Sequence, residues 1–364
     1  MRGLDSSGEA GEASDSSSRR DSSEGIPNAS IIVTAQDRRQ YLRSALNSVF
    51  AQDVDRSRFE VIVVKDFQDE KIDSLLDREG ATRIICSERL VGPKVAEGIR
   101  ASRGAILIFL DDDDLFEPDK VRTVLSEFES RPELGFYHNQ QTYIGPDGSP
   151  LAATRVTSFG QRVSGRARRI FLGPHASAKD LRRLAFTYPD FNTSSHAIQR
   201  DLAIGSLPYL PRLEGGVDRF FLFVALLSDR PCLIDSRMLT RYRVHEDNIS
   251  LAGGPTEEHR RARLLEANRR HLAVDVVLRE MALDSRNVAV LRELDGRILV
   301  DRLTSIYRNP GRGRADSIPA LIDGIRLWRT AAIRENAPDM VGAILFSLWP
   351  RLARTVYDRQ MAIR

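Results

Sequence analysis

Cysteine is nearly absent from this chain: there are two, Cys86 and Cys232, in 364 residues. Each is flanked by apolar neighbours (RIICS and PCLID), so the pair reads as buried thiols in a reducing compartment and not as a disulfide framework. Long apolar runs are missing too. No stretch approaches the ~18 residues that a membrane span requires, and the first residues lack the apolar core of a secretory signal. The expectation is a cytoplasmic chain. Charge of one sign is not in excess: 54 Lys and Arg stand against 51 Asp and Glu, a net +3, and despite a sequence pI near 8.9 this balance argues against a nucleic-acid partner. Residues 1–26 are rich in Ser, Gly and Glu with little to bury, and are expected to form a disordered tail.

What is present is enough apolar material for a large core or two smaller ones, 41% of the residues. From Asn28 onward, ASIIVT, FEVIVV, TRIIC and AILIFL are short β-branched runs that fit strands buried on both faces. Helical patterns separate them. Leu42, Ala45, Leu46, Val49 and Phe50 fall on one face of a first helix, and a second is expected from Pro93 to Ser102 with Gly104 as its stop. Strand and helix in alternation predict an α/β chain with a mostly parallel, Rossmann-like sheet and helices on both faces. Such sheets bind ligands beyond the carboxyl ends of their strands.

At one such end the sequence reads AILIFLDDDDLFEP. Like charges at the mouth of an apolar core are costly unless a counter-charge offsets them, and a bound cation is the usual one. Asp111 and Asp113 have the DxD spacing whose hard oxygens suit Mg²⁺ or Mn²⁺ against a diphosphate. The alternative is a set of acids favoured by the helix dipole of the following DKVRTVLSEFES, with Asp114 as its cap. Further on, LGFYHNQQTYIGPDGSPL reads as strand, turn and return strand, residues 151–190 as loop and helix over the sheet, SSHAIQR as a strand, GGVDRFFLFVALL as a helix behind a glycine pair, and PCLIDSRMLTRYRVH as an extended return. The chain from Pro255 on is helical in pattern.

The ordered segments TAQDRRQYLRSALNSVFAQ, FEVIVVKDFQD, LVGPKVAEGIRASRGAILIFLDDDDLFEPDKV, GGVDRFF and YRVHEDNIS resemble the family 2 glycosyltransferases of the GT-A fold, over about Ser30 to Ser250. The resemblance implies a GT-A domain over 27–250, with a nucleotide-binding half (27–145) and an acceptor-side half (146–250), followed by a helical C-terminal region (251–364). It implies a metal-dependent inverting transfer from a nucleotide-diphosphate sugar to a hydroxyl of a glycan or lipid-linked acceptor, in cell-surface glycan, polysaccharide or glycolipid synthesis. Thr34, Gln36, Asp66, Lys94, Asp111 and Asp112 then fall on the nucleotide-sugar site, with Lys65 where relatives usually carry a further carboxylate. Asp113, Asp111 and His245 fall on the metal, with Arg241 and Arg243 near the phosphates. Asp218 matches the catalytic base, and Glu214 is a reserve.

Two other classes remain open on the sequence. A nucleotidyltransferase also uses carboxylates and Mg²⁺, but wants a glycine-rich phosphate loop where TAQDRRQYL has no glycine. A non-catalytic nucleotide- or sugar-binding module of the same fold has no need of both the acid cluster and Asp218. GRARRIFLG and AILFSLWPRLARTVYDRQ mix basic and bulky apolar residues, a composition compatible with peripheral contact on the inner face of a membrane or, for the second, with packing on the catalytic domain.

Overall fold

The computed structural model describes residues 26–36, 39–151, 169–184, 192–245, 248 and 257–308, with 322, 323, 326, 327, 330 and 333 beyond them. The tail expected over 1–26, apart from Ile26, lies outside the described residues, as do the first four residues of GRARRIFLG and all of AILFSLWPRLARTVYDRQ.

Strands and helices alternate from the start: β1 (Ala29–Ala35), α1 (Arg39–Phe50), β2 (Phe59–Lys65), α2 (Glu70–Arg78), β3 (Thr82–Ile85), α3 (Val91–Ala101), β4 (Ile106–Asp111), β5 (Leu115–Phe116), α4 (Lys120–Ser130), β6 (Phe136–Ile144) and β7 (Pro150–Leu151). The second half holds β8 (Ile170–Leu172), α5 (Ala178–Leu184), β9 (His196–Gln199), α6 (Arg200–Gly205), α7 (Val217–Leu227), β10 (Cys232–Arg243) and two long helices, α8 (Glu257–Ser285) and α9 (Val288–Arg308), packed on each other. One sheet runs β3-β2-β1-β4-β9-β6-β10-β5, with β7 beside β6 and β8 beside β10. It is parallel from β3 to β4 and again between β6 and β10, while β9 is antiparallel to both β4 and β6. This is the α/β architecture expected of a GT-A chain, with a helical region at its C-terminal end.

Most of the expected core residues are buried, but Phe50 is only half-buried, and β3, at the edge of the sheet, leaves Ile84 half-buried and Ile85 exposed instead of being covered on both faces. Leu42, Ala45, Leu46 and Val49 of α1 and Val121, Val124, Leu125 and Phe128 of α4 pack on one face of the sheet. On the other face, α3 and α7 share a single apolar cluster with Val274, Val277 and Leu278 of α8 and Leu294 of α9. The C-terminal helices therefore complete the core of the sheet domain. Both cysteines are buried, and burial pushes the Cys232 thiol up to about 12. No helix among the described residues is long and apolar enough to cross a membrane.

Three further expectations need correction. The second helix begins at Val91 and ends at Ala101. Gly104 is not its stop: a Cβ there would lie 2.4 Å from the Ala29 backbone carbon, so glycine is required by the close approach of β1. Finally, Ile170–Leu172 is a strand, held by antiparallel pairing with β10 where no local pattern announced one.

Candidate active site

The site begins where β1 and β4 end in register, Thr34 opposite Asp111. The Thr34 hydroxyl donates to Asp111 Oδ1 at 3.5 Å, and just beyond, the Gln36 amide donates to Asp112 Oδ2 at 2.9 Å. The acidic loop is thus stitched to the loop after β1. At the end of the neighbouring β2, the buried Lys94 of α3 donates from Nζ to Asp66 Oδ2 at 3.0 Å. Lys65 turns the other way along the pleat: its Nζ meets Asp73 at 2.9 Å and the Phe67 carbonyl at 2.6 Å, so it does not reach toward a diphosphate.

The four aspartates have four different surroundings. Asp111 is half-buried, and its amide donates to Ser194 Oγ at 3.0 Å. Asp112 is fully buried under Gln36. Asp113 places Oδ2 3.0 Å from His245 Nε2. Asp114 is not a helix cap, since α4 begins only at Lys120 and the residue before it is Asp119. It is a buried knot that accepts from Ser194 Oγ at 2.7 Å, Asn192 Nδ2 at 2.9 Å and the Arg243 amide at 2.9 Å. Burial, reinforced by the negative charges of Asp113 and Asp111, pushes its carboxyl up to about 8.

Arg241 and Arg243 are both engaged by protein partners. Arg241 forks onto Glu117 at 2.7 and 2.6 Å, and Arg243 is buried with its guanidinium on the carbonyls of Asp113 (2.8 Å), Gly145 (3.1 Å) and Pro146 (3.0 Å). Both cations are consumed by the scaffold.

The opposite lip is the start of α7. Gly216 precedes the helix with φ +68°, in the left-handed region that favours glycine, and this turn delivers Asp218 in the first helical turn. Glu214 faces outward and is held by Arg269, one bond at 2.9 Å, which keeps its carboxyl below the usual range.

Between the lips lies an open cleft of about 850 Å³ whose walls include Thr34, Gln36, Lys94, Asp111, Asp113 and Asp218. Asp66, Asp112 and His245 stand one contact behind it, against Lys94, Gln36 and Asp113. Among the described residues no three His, Cys, Asp or Glu side chains converge as a complete metal cage. The Asp113–His245 spacing nevertheless fits two adjacent ligands of one octahedral ion, which at ~2.1 Å and a right angle would lie ~3 Å apart. The wall residues that were not anticipated include four with polar side chains, Asn192, Thr193, Tyr242 and Asn248. A signal existed for the two asparagines, which are turn formers. Asn192 Oδ1 accepts from the Ser194 amide at 2.8 Å and Asn248 Oδ1 from the His245 amide at 2.5 Å.

Residues 30–184 match the family model described as glycosyl transferase family 2. An uncharacterized glycosyltransferase of Haemophilus influenzae is 36% identical over 112 residues, 30% of this chain and 37% of that protein. An uncharacterized glycosyltransferase of Nostoc is 25% identical over 141 residues, 37% of this chain and 42% of that protein. The chain thus spans less than half the length of these curated relatives. Among solved structures, Staphylococcus aureus TarS 1–349 in complex with UDP-GlcNAc is 14% identical, with 85% of this chain and 91% of that chain covered and a TM-score of 0.49. A mannosyltransferase from Pyrobaculum calidifontis in complex with GDP-Man and Mn²⁺ is 15% identical, with 90% and 88% covered and a TM-score of 0.47.

Proposed function

We propose that the protein, whose residues 30–184 match the family 2 glycosyl transferase model, is a metal-dependent inverting glycosyltransferase that moves a sugar from a nucleotide-diphosphate donor to a hydroxyl of a glycan or lipid-linked acceptor, in the synthesis of surface glycans. The observation that carries this reading is the convergence, on one cleft, of the strand-end carboxylates Asp111 and Asp113 with Asp218 on the facing helix. On this reading Asp66, oriented by Lys94, accepts a hydrogen bond from the base. Thr34 and Gln36 line the nucleoside path, and Asp111 faces the ribose side, with Asp112 buried behind it holding the Gln36 amide. Asp113 and His245 would hold Mg²⁺ or Mn²⁺, which when bound offsets the charge of the departing diphosphate, while Asp111 lines the same cleft.

Asp218 takes the proton of the acceptor hydroxyl as that oxygen attacks the anomeric carbon from the face opposite the diphosphate. Glu214, off the cleft wall and paired with Arg269, is the reserve and takes no part in this step. A thermal-shift panel of UDP, GDP, dTDP and CMP sugars, each with Mn²⁺ or with EDTA, tests the donor reading, because a ligand of the folded state raises apparent stability. One donor class should raise the melting temperature with Mn²⁺ alone; no shift from any of them would overturn the proposal. The transferred sugar should have inverted anomeric configuration by NMR.

A further inference from the structure

Helix α8 touches both walls of the cleft. Near its start, Arg263 Nη2 donates to the Asn248 carbonyl at 3.1 Å, and Asn248 in turn accepts the His245 amide on the wall that carries Asp113. Near its middle, Asp275 is fully buried and Oδ2 accepts from Arg219 Nη1 at 3.2 Å, on the residue directly after Asp218. These two contacts are twelve residues apart, about 18 Å along a helix. Between them, Val274 Cγ2 lies 3.1 Å from where a Gly216 Cβ would stand, so the helix is seated on the turn that launches α7.

The Arg219–Asp275 pair is hard to explain as a source of stability. Sinking a carboxylate completely costs desolvation that its partner rarely returns in full, and apolar replacements of such pairs are often as stable. The pair also sets a cation at a helix N-terminus, the end where the dipole disfavours it. What the pair supplies is direction. Successive helical residues project about 100° apart, so drawing Arg219 toward α8 leaves Asp218 facing the cleft.

We propose that Asp275 is a positioning residue: through Arg219 it fixes the first turn of α7 and so the approach of the Asp218 carboxylate to the acceptor oxygen. This rests on the reading of Asp218 as the base and adds the C-terminal helix to the working parts of the site.

The test compares Asp275→Asn, Asp275→Glu and Asp218→Asn in the full chain, by free-nucleotide release from the UDP, GDP, dTDP or CMP sugar that gives the Mn²⁺-dependent shift, with water as acceptor. Assays are run well below each variant's melting temperature. Asp275→Asn should lower kcat ~10-fold or more, the scale of a misplaced catalytic group, while donor KM and the Mn²⁺-dependent shift stay within about twofold. Asp275→Glu, which keeps the charge, should recover part of the loss. A wild-type kcat in Asp275→Asn, or a loss in which kcat and donor binding fall together, would overturn the proposal. If Asp218→Asn itself keeps wild-type kcat, the base reading fails and takes the proposal with it; an inactive Asp218→Asn beside a fully active Asp275→Asn removes the positioning role alone. Should Asp275→Asn not fold, Arg219→Lys, which keeps the cation and loses the guanidinium geometry, is read by the same criteria.

Discussion

His245 Nε2 lies 3.0 Å from Asp113 Oδ2, although the two residues are 132 positions apart and follow two strands, β10 and β4, that are not neighbours in the sheet. The pair is brought together by Arg243, whose amide is fixed on Asp114 and whose guanidinium is fixed on the Asp113 carbonyl, so that the segment after β10 is pinned directly over the acidic loop.

If this pair holds the cation, Asp113→Ala and His245→Ala should each remove the Mn²⁺ dependence of donor stabilisation. The diphosphate and the acid cluster repel each other without a cation, so the wild-type protein should show no donor-induced shift in EDTA. Equal donor-induced shifts in Mn²⁺ and EDTA for the wild type would show that the pair is only structural.

Asp114 should behave differently from its neighbour. Asp114→Ala leaves the Ser194 hydroxyl, the Asn192 amide and the Arg243 N–H without their acceptor inside the protein, and each such group costs ~1–3 kcal/mol. Urea unfolding of Asp114→Ala should therefore show a loss of about 3 kcal/mol or more. A loss under ~1 kcal/mol, the size of a missing helix cap, would contradict the buried knot.

Glu214 separates the two acids near the start of α7. Its ion pair with Arg269 is on the surface and weakly stabilising once screened by solvent. Glu214→Gln should keep donor turnover within about twofold of wild type, measured by nucleotide release. A loss of a hundredfold would move the base from Asp218 to Glu214.

Where a residue's place depends on its near neighbours, the sequence was readable. The α1 and α4 stripes were legible because each helix buries one face, and the strand-end location of Asp111 and Asp113 followed from the apolar run before them. What depended on distant partners was not. The insertion of β9 between β4 and β6 is set by pairing across the sheet, and β8 exists because β10 offers an edge. Asp114 looked like a cap because Asn192 and Ser194, which bury it, lie about eighty residues on. Arg241 and Arg243 had the composition of phosphate ligands, but Glu117 and three backbone carbonyls take their donors. The place of Asp218 in the first turn of a helix was legible from the glycine pair and the helix behind it; the ion pair that holds Glu214 depends on the position of Arg269 on α8.

The most direct test of inverting transfer in this cleft is the turnover of Asp218→Asn, read beside its donor affinity. The substitution keeps the size of the side chain and removes its basicity, so donor binding should stay within a few fold of wild type while turnover falls by ~10²-fold or more. Near wild-type turnover with normal donor affinity would contradict the assignment of Asp218 as the base.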